Sequence, residues 1–224
     1  YMLIGFGAAI QFHMLNGAAG GFFHLITHTM MKGLAFLSAG ALLYAMYITK
    51  HKHGPLLLED LNGASKKYPM TAMALSVAVL GLGGLPPLAG FMSKWQIFVG
   101  GFETQNIWMM VLVVYAALNS VLSLGYYAPM VNRMYRMEPA EIVNDGKELS
   151  FLIQIPLVIL TSAIVAIGIW PSAVSFITTP AAAALLTAWM PCSKEAPGNR
   201  TRRTSPAPLP PGGCRRLPFA TRLC

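Results

Sequence analysis

The chain has 224 residues, of which 55% are hydrophobic and only 11% charged, against about 45–50% and about 25% in soluble domains. That balance, with a mean hydropathy of +0.55, excludes an ordinary soluble globule and leaves a polytopic membrane protein. The net charge of +8 is mostly a property of the tail, because residues 191–224 carry seven Lys/Arg against one acid, whereas residues 1–190 carry nine against seven.

The apolar runs are continuous rather than alternating and rich in Met, Ala and Leu, which argues for helices and against a barrel. The first, Tyr1–Leu15, begins inside apolar sequence and reads as the end of a helix whose beginning is missing. It has no cationic leader or cleavage site, so it is not a signal peptide. After Asn16-Gly17 comes Gly20–Tyr47, long enough to span with some tilt. Residues 48–69 form a polar connection whose centre, Pro55–Leu61, suggests a short interfacial helix. Met70–Leu85 is the next helix, entered through Pro69. It ends in GLGGLPPLAGF, residues 81–91, where Gly84, Pro86, Pro87 and Gly90 predict a break. A shorter piece, Ala89–Val99, follows. Ile107–Met130 and Phe151–Trp170 complete an all-α, polytopic transmembrane bundle of about six hydrophobic segments, one of them broken.

Counting residues 70–99 as two crossings puts the cationic loops 48–69 and 131–150 on opposite sides. The positive-inside rule then gives no orientation.

The tail, residues 191–224, has no apolar periodicity and holds seven of the sixteen prolines and all three cysteines, Cys192, Cys214 and Cys224. It is expected to be disordered. It reads either as an arm for anionic lipid or nucleic acid or as a non-native segment. The abrupt change of composition favours the second, so no nucleic-acid partner is expected. The body lacks cysteine, which leaves no thiolate there for a disulfide, metal or cluster.

Ionisable groups in hydrocarbon are expensive and need a reason. His24, His28 and Lys32 recur at i, i+4 and i+8, a gently winding stripe about 12 Å long on a helix. Imidazoles accept and donate protons, and a lysine holds a charge that a dry site can switch off. Such a row across a bilayer is what proton relay requires. The alternative is a set of packed polar groups with Lys32 snorkelling. Thr27 and Ser38 extend the stripe. Lys94 follows the break, where free backbone groups make ion sites, or else it marks an interfacial helix end. Asn119, Ser120 and Ser123 form a polar patch that reads as inter-helix glue, and Tyr126-Tyr127 after it as an aromatic belt. Asn119 and Ser123, one turn apart, read alternatively as support for a water chain. Glu103 reads as a loop carboxylate, with a channel-mouth role as the alternative. The methionines read as packing or lipid-facing residues rather than a metal site.

FHLITHTMMKGLAFLSAG, residues 23–40, resembles the H-L-x-x-H-x-x-x-K-x-x-x-F-L-x-x-G helix of antiporter-like membrane subunits. These occur in respiratory complex I, archaeal complex I-like dehydrogenases, membrane-bound hydrogenases and multisubunit cation/proton antiporters. Residues 61–98, with G-x-P-P-L-A-G-F-x-x-K, are similar to that family's next signature. NSVLSLGYYAPMVNRMY, residues 119–135, is similar to the following helix of its N-type subunit. The match covers about residues 1–178, with 179–190 as the end of the last helix or a linker.

The resemblance implies the second of two inverted helix repeats, the C-terminal part of a longer subunit. It implies a proton path through His24, His28 and Lys32, with Lys94 as the terminal lysine of a half-channel. It further implies proton translocation driven by redox chemistry in other membrane subunits, and residence in a prokaryotic cytoplasmic membrane. No cofactor is expected in this chain, because no dinucleotide fingerprint, cluster-binding cysteine set or flavin motif is present. A cation/proton antiporter or hydrogenase subunit remains an alternative, as does a structural fragment that transports nothing.

Overall fold

Backbone polar groups in hydrocarbon must be satisfied within the protein, and continuous apolar runs do so as helices. The computed structural model describes residues 1–47 and 57–189, which contain helices and no strand. In chain order they form α1 (Met2–Phe12), α2 (Leu15–Met46), a 3-10 turn (Glu59–Leu61), α3 (Ala64–Lys67), α4 (Pro69–Gly83), α5 (Ala89–Phe102), α6 (Ile107–Arg136), α7 (Glu141–Asp145), α8 (Phe151–Ile169) and α9 (Ser172–Trp189). α2, α6 and α8 are each long and apolar enough to cross a membrane. α2 has 32 residues, about 48 Å of helix. It is the central post, touching α1, α4, α5, α8 and α9. The architecture is the expected all-α polytopic bundle.

Four boundaries differ from the sequence reading. The first break falls at His13, in the left-handed region with φ +56°, and not at Asn16-Gly17. Gly17 is used for close approach instead of a turn. A Cβ there would lie 2.9 Å from the Gly5 carbonyl, and one on Gly100 would lie 2.6 Å from the Gly17 nitrogen. Small residues let α1, α2 and α5 pack backbone to backbone. α6 runs through Pro129 and continues six residues beyond Met130, because its last turns pack on the polar connection.

Trp170-Pro171 ends α8 but not the hydrophobic structure. α9 follows with Val174, Thr178, Ala182 and Leu186 buried at four-residue spacing, a stripe turned onto α2 and α1. Residues 179–189 are therefore the second half of a packed helix. Of the suggested interfacial helix, the described part is only the 3-10 turn. The tail 191–224 and the start of the 48–69 connection, with Lys50 and Lys52, lie outside the described residues.

The two polar connections meet, which corrects the count of crossings. Gly63 N–H donates to Arg133 O, Ala140 N–H to Asn62 O and Lys147 N–H to Ala45 O. Lys66 pairs with Glu138 at 2.8 Å. The Tyr68 hydroxyl donates to Lys147 O at 2.9 Å. At the other end of the bundle, Asn16 Nδ2 donates to both carboxylate oxygens of Glu103 at 2.9 and 3.0 Å. α4 thus starts beside the C-terminus of α2, and α5 finishes beside its N-terminus. Together they make one broken crossing. Lys66, Lys67, Arg133, Arg136 and Lys147 then share one end, and among the described residues the opposite end has no Lys or Arg. The positive-inside rule assigns the basic end to the cytoplasm.

Candidate functional site

The break between α4 and α5 creates the site. The last four carbonyls of a helix lack intrahelical partners. At the end of α4 they are those of Leu80, Gly81, Leu82 and Gly83, and each has an acceptor role. Gly84 adopts φ +88°, which glycine does without a Cβ penalty. Its N–H bonds to Gly81 O, and the N–H of Leu85 reaches back to Leu80 O, the Schellman pattern. Leu82 O accepts from Lys94 Nζ at 2.7 Å. Gly83 O accepts from the Ser120 hydroxyl at 2.7 Å. Ser120 Oγ in turn accepts from Lys94 Nζ at 2.9 Å.

Lys94 is therefore seated in the negative end of a helix. The Tyr1 ring lies 4.7 Å below its Nζ as a further cation-binding surface. That ring is fixed by its hydroxyl, which donates to Ala116 O at 2.8 Å. Lys94 is only 4% exposed, and these partners are what make a buried ammonium tolerable.

Gly90 lets the second half-helix start so close. A Cβ on it would run into the Gly81 carbonyl oxygen. Pro86 and Pro87, which cannot donate to a helix, carry the chain between the halves.

His24 is buried in α2 and its Nδ1 lies 2.9 Å from Ser93 Oγ, one residue before Lys94. The Ser93 hydroxyl also bonds to Gly90 O at 3.1 Å. A hydroxyl has a single proton; with that proton on Gly90 O, Ser93 accepts from His24 Nδ1–H. The neutral ring then presents Nε2 as an acceptor. The rings of His24 and His28 are 5.5 Å apart, and Tyr1 is 5.6 Å from His24.

A cavity of about 170 Å³ joins these groups, with His24, His28, Lys32, Lys94, Asn119 and Ser123 in its wall. It is large enough for water, and it has the polar partners water needs. Lys94 and His24 lie at its buried side, whereas Lys32 and Asn119 are exposed.

Two expected members do not join it. Thr27 and Ser38 are buried, but their hydroxyls bond to carbonyls one turn back on their own helix, Phe23 O at 3.1 Å and Leu34 O at 2.6 Å. Intrahelical bonding competed successfully for both. The sequence reading missed Ser93 and Tyr1, and it treated Ser120 as part of a patch and Tyr126 and Tyr127 as a membrane belt. Those two tyrosines also line the cavity. Ser93 adjoins Lys94 in sequence, the one signal that singles it out. Nothing local points to Tyr1.

The fold and this cavity define an integral, multi-pass membrane protein built round a broken helix, an arrangement used for ion sites in transporters. Residues 1–120 match the family described as NADH:quinone oxidoreductase/Mrp antiporter, TM, and the chain belongs to that family.

It is 36% identical over 157 residues to F(420)H(2) dehydrogenase subunit N of Methanosarcina mazei, covering 68% of this chain and 31% of that protein. It is 31% identical over 147 residues to NADH-quinone oxidoreductase subunit N 2 of Sorangium cellulosum, covering 63% and 27%. The chain thus spans about a third of the length of these curated relatives. Among solved structures it is similar to a chain of respiratory complex I from Thermus thermophilus, with TM-score 0.60, 26% identity and coverage of 80% and 36%. It shares its fold with a chain of the Mrp complex from a Dietzia species, at TM-score 0.64, 20% identity and coverage of 77% and 38%. These relatives are archaeal and bacterial, and the chain is an integral protein of a prokaryotic membrane.

Proposed function

We propose that this chain is the proton-relay part of an antiporter-like subunit in a redox-driven, complex I-type assembly. Its partners are the other membrane subunits, and the electron chemistry belongs to them. The observation that supports this reading is the shared cavity of His24, His28, Lys32 and Lys94, spanning α2, α5 and α6. Protons pass between the imidazoles and the two lysines through water in that cavity. Lys94 holds its proton against Leu82 O and Ser120, and Lys32 holds its own at the exposed side.

Like charges that share a low-dielectric cavity repel, so the charges carried at Lys94 and Lys32 are coupled through it. A redox step in a partner that biases one site moves the proton at the other.

The test is Lys94→Met and Lys32→Met in the full parent complex, read as proton uptake into inverted vesicles, with assembly checked by native gel. Loss of pumping with assembly retained is expected. Unchanged protons per electron in both variants sinks the reading. The family also contains Mrp antiporters, so a second reading has sodium as a coupled ion. A pH gradient that needs sodium and no electron donor would select it.

A further inference from the structure

At the basic end, where α4 and α8 begin, lies a second cavity that the relay does not use. It has a volume of about 200 Å³, and Lys67, Met70, Thr71, Glu148 and Gln154 are in its wall. Several polar demands converge there unmet. The 15-residue α4 starts on Pro69 with no side-chain cap. Its first-turn N–H groups, those of Met70 and Thr71 among them, have no intrahelical acceptor. The Thr71 side chain is buried, at 1% exposure, and its hydroxyl has no hydrogen-bond partner among the described residues. Lys67 gives one N–H to Asn144 O and keeps two. Gln154 donates to Leu149 O at 3.1 Å and keeps its amide oxygen. Glu148 is exposed and forms no ion pair among the described residues.

This niche continues into an apolar groove of about 320 Å³ along α8, lined by Phe151, Ile155, Val158 and Ile159. Met70 and Gln154 line both. The groove runs into the span while the niche sits at the level of the polar connections. One ligand that fills both has an apolar chain and a polar head. Its head meets anion-seeking groups (a helix N-terminus, a lysine and a hydroxyl) together with one carboxylate. A free anion needs no groove and is repelled by Glu148. A head with a phosphate and a primary ammonium satisfies both signs.

We propose that α4 and α8 form a binding site for a glycerophospholipid of the phosphatidylethanolamine type. Its phosphate lies on the α4 N-terminus, Thr71 and Lys67, its ammonium on Glu148, and one acyl chain in the α8 groove. The site is separate from the Lys94 cavity and does not depend on transport.

The test uses the full chain in detergent, incubated with vesicles of phosphatidylethanolamine, phosphatidylglycerol or phosphatidylcholine, washed, and assayed for retained lipid by mass spectrometry. Phosphatidylethanolamine should be retained ahead of the other two. Lys67→Gln and Thr71→Val should each lower its retention roughly tenfold. Glu148→Gln should remove the preference for the ammonium head. Val158→Trp, at an exposed position, should fill the groove and release lipid without changing the melting temperature. Equal retention by the wild type and all four variants overturns the proposal. So does retention of phosphatidylglycerol ahead of phosphatidylethanolamine, or displacement of bound lipid by millimolar inorganic phosphate, which would assign the niche to a free anion.

Discussion

Lys94 and Lys32 are both lysines in apolar helices, and both line one cavity, yet their surroundings are opposite. Lys94 is buried, with two acceptors and an aromatic face. Lys32 is exposed and has no hydrogen-bond acceptor among the described residues. The difference is set by the backbone. α2 is regular at Lys32, so its carbonyls are consumed by its own ladder. α4 ends beside Lys94 and leaves two carbonyls over. A helix can hold a buried cation where it stops, and much less readily where it continues.

The largest effect that would test this comparison is functional. Lys94→Met should lower proton transfer in the parent complex by about 10²-fold or more, the scale of a lost positioned acid–base group. Lys32→Met should do the same. The two variants should part in stability. Lys32→Met should stay within about 0.5 kcal/mol of the wild type, while Lys94→Met leaves Leu82 O unsatisfied and lowers the midpoint of unfolding in detergent. Equal midpoints would break the comparison.

Gly90→Ala comes next. Its methyl would meet Gly81 O and push the half-helices apart, at a cost of about 1–3 kcal/mol, and proton transfer should fall with the displaced Lys94. Ser120→Ala leaves Gly83 O without a donor and Lys94 with one acceptor fewer, about 1–3 kcal/mol of lost stability. Ser120→Thr, which keeps the hydroxyl, should restore most of it.

The smallest effect lies at the aqueous edge. Just past the end of α2, the Tyr47 hydroxyl donates to Asp60 Oδ2 at 2.7 Å. That bond, with smaller contributions from burial and the charge of Asp60, raises the phenol above its ordinary value. A raised folded value means the stabilisation is full below about pH 10, the ordinary phenol value, and is lost as pH climbs through the folded one. Wild type and Tyr47→Phe should differ by about 1 kcal/mol or less at neutral pH and converge in alkali. A difference that persists in alkali would show that the contact is packing and not a hydrogen bond.

Much of the fold was legible in the chain because hydrophobic runs and Gly/Pro punctuation are local signals. The all-α bundle, the break that opens at Gly84 and the ends of α8 are read directly from them, whereas Gly90, expected within the break, lies inside α5. α9 was not, since Pro171 and Pro180 look like stops while the helix is held by packing on α2. The one-crossing path of α4 and α5 was not, because it depends on hydrogen bonds between residues far apart in sequence, such as Gly63 to Arg133. In the cavity, His24, His28 and Lys32 announce themselves by spacing, and Lys94 by its neighbouring break. Tyr1 carries no such mark, Ser93 has only its adjacency to Lys94, and Ser120 only its place in a polar patch, because a serine at a helix crossing looks the same in sequence as a serine bonded to its own helix.

The sequence by itself determined that the chain lives in a membrane, which segments are helical, and which titratable groups lie among them, because composition and periodicity act over one or two turns. Only the tertiary structure decided that Lys94 would be anchored and Lys32 left open, that Thr27 and Ser38 would turn back on their own helix, and that Ser93 would orient His24. Each of those depends on which carbonyl or hydroxyl a neighbouring helix brings within about 3 Å, and that distance is set by glycine contacts between helices that are remote in the chain.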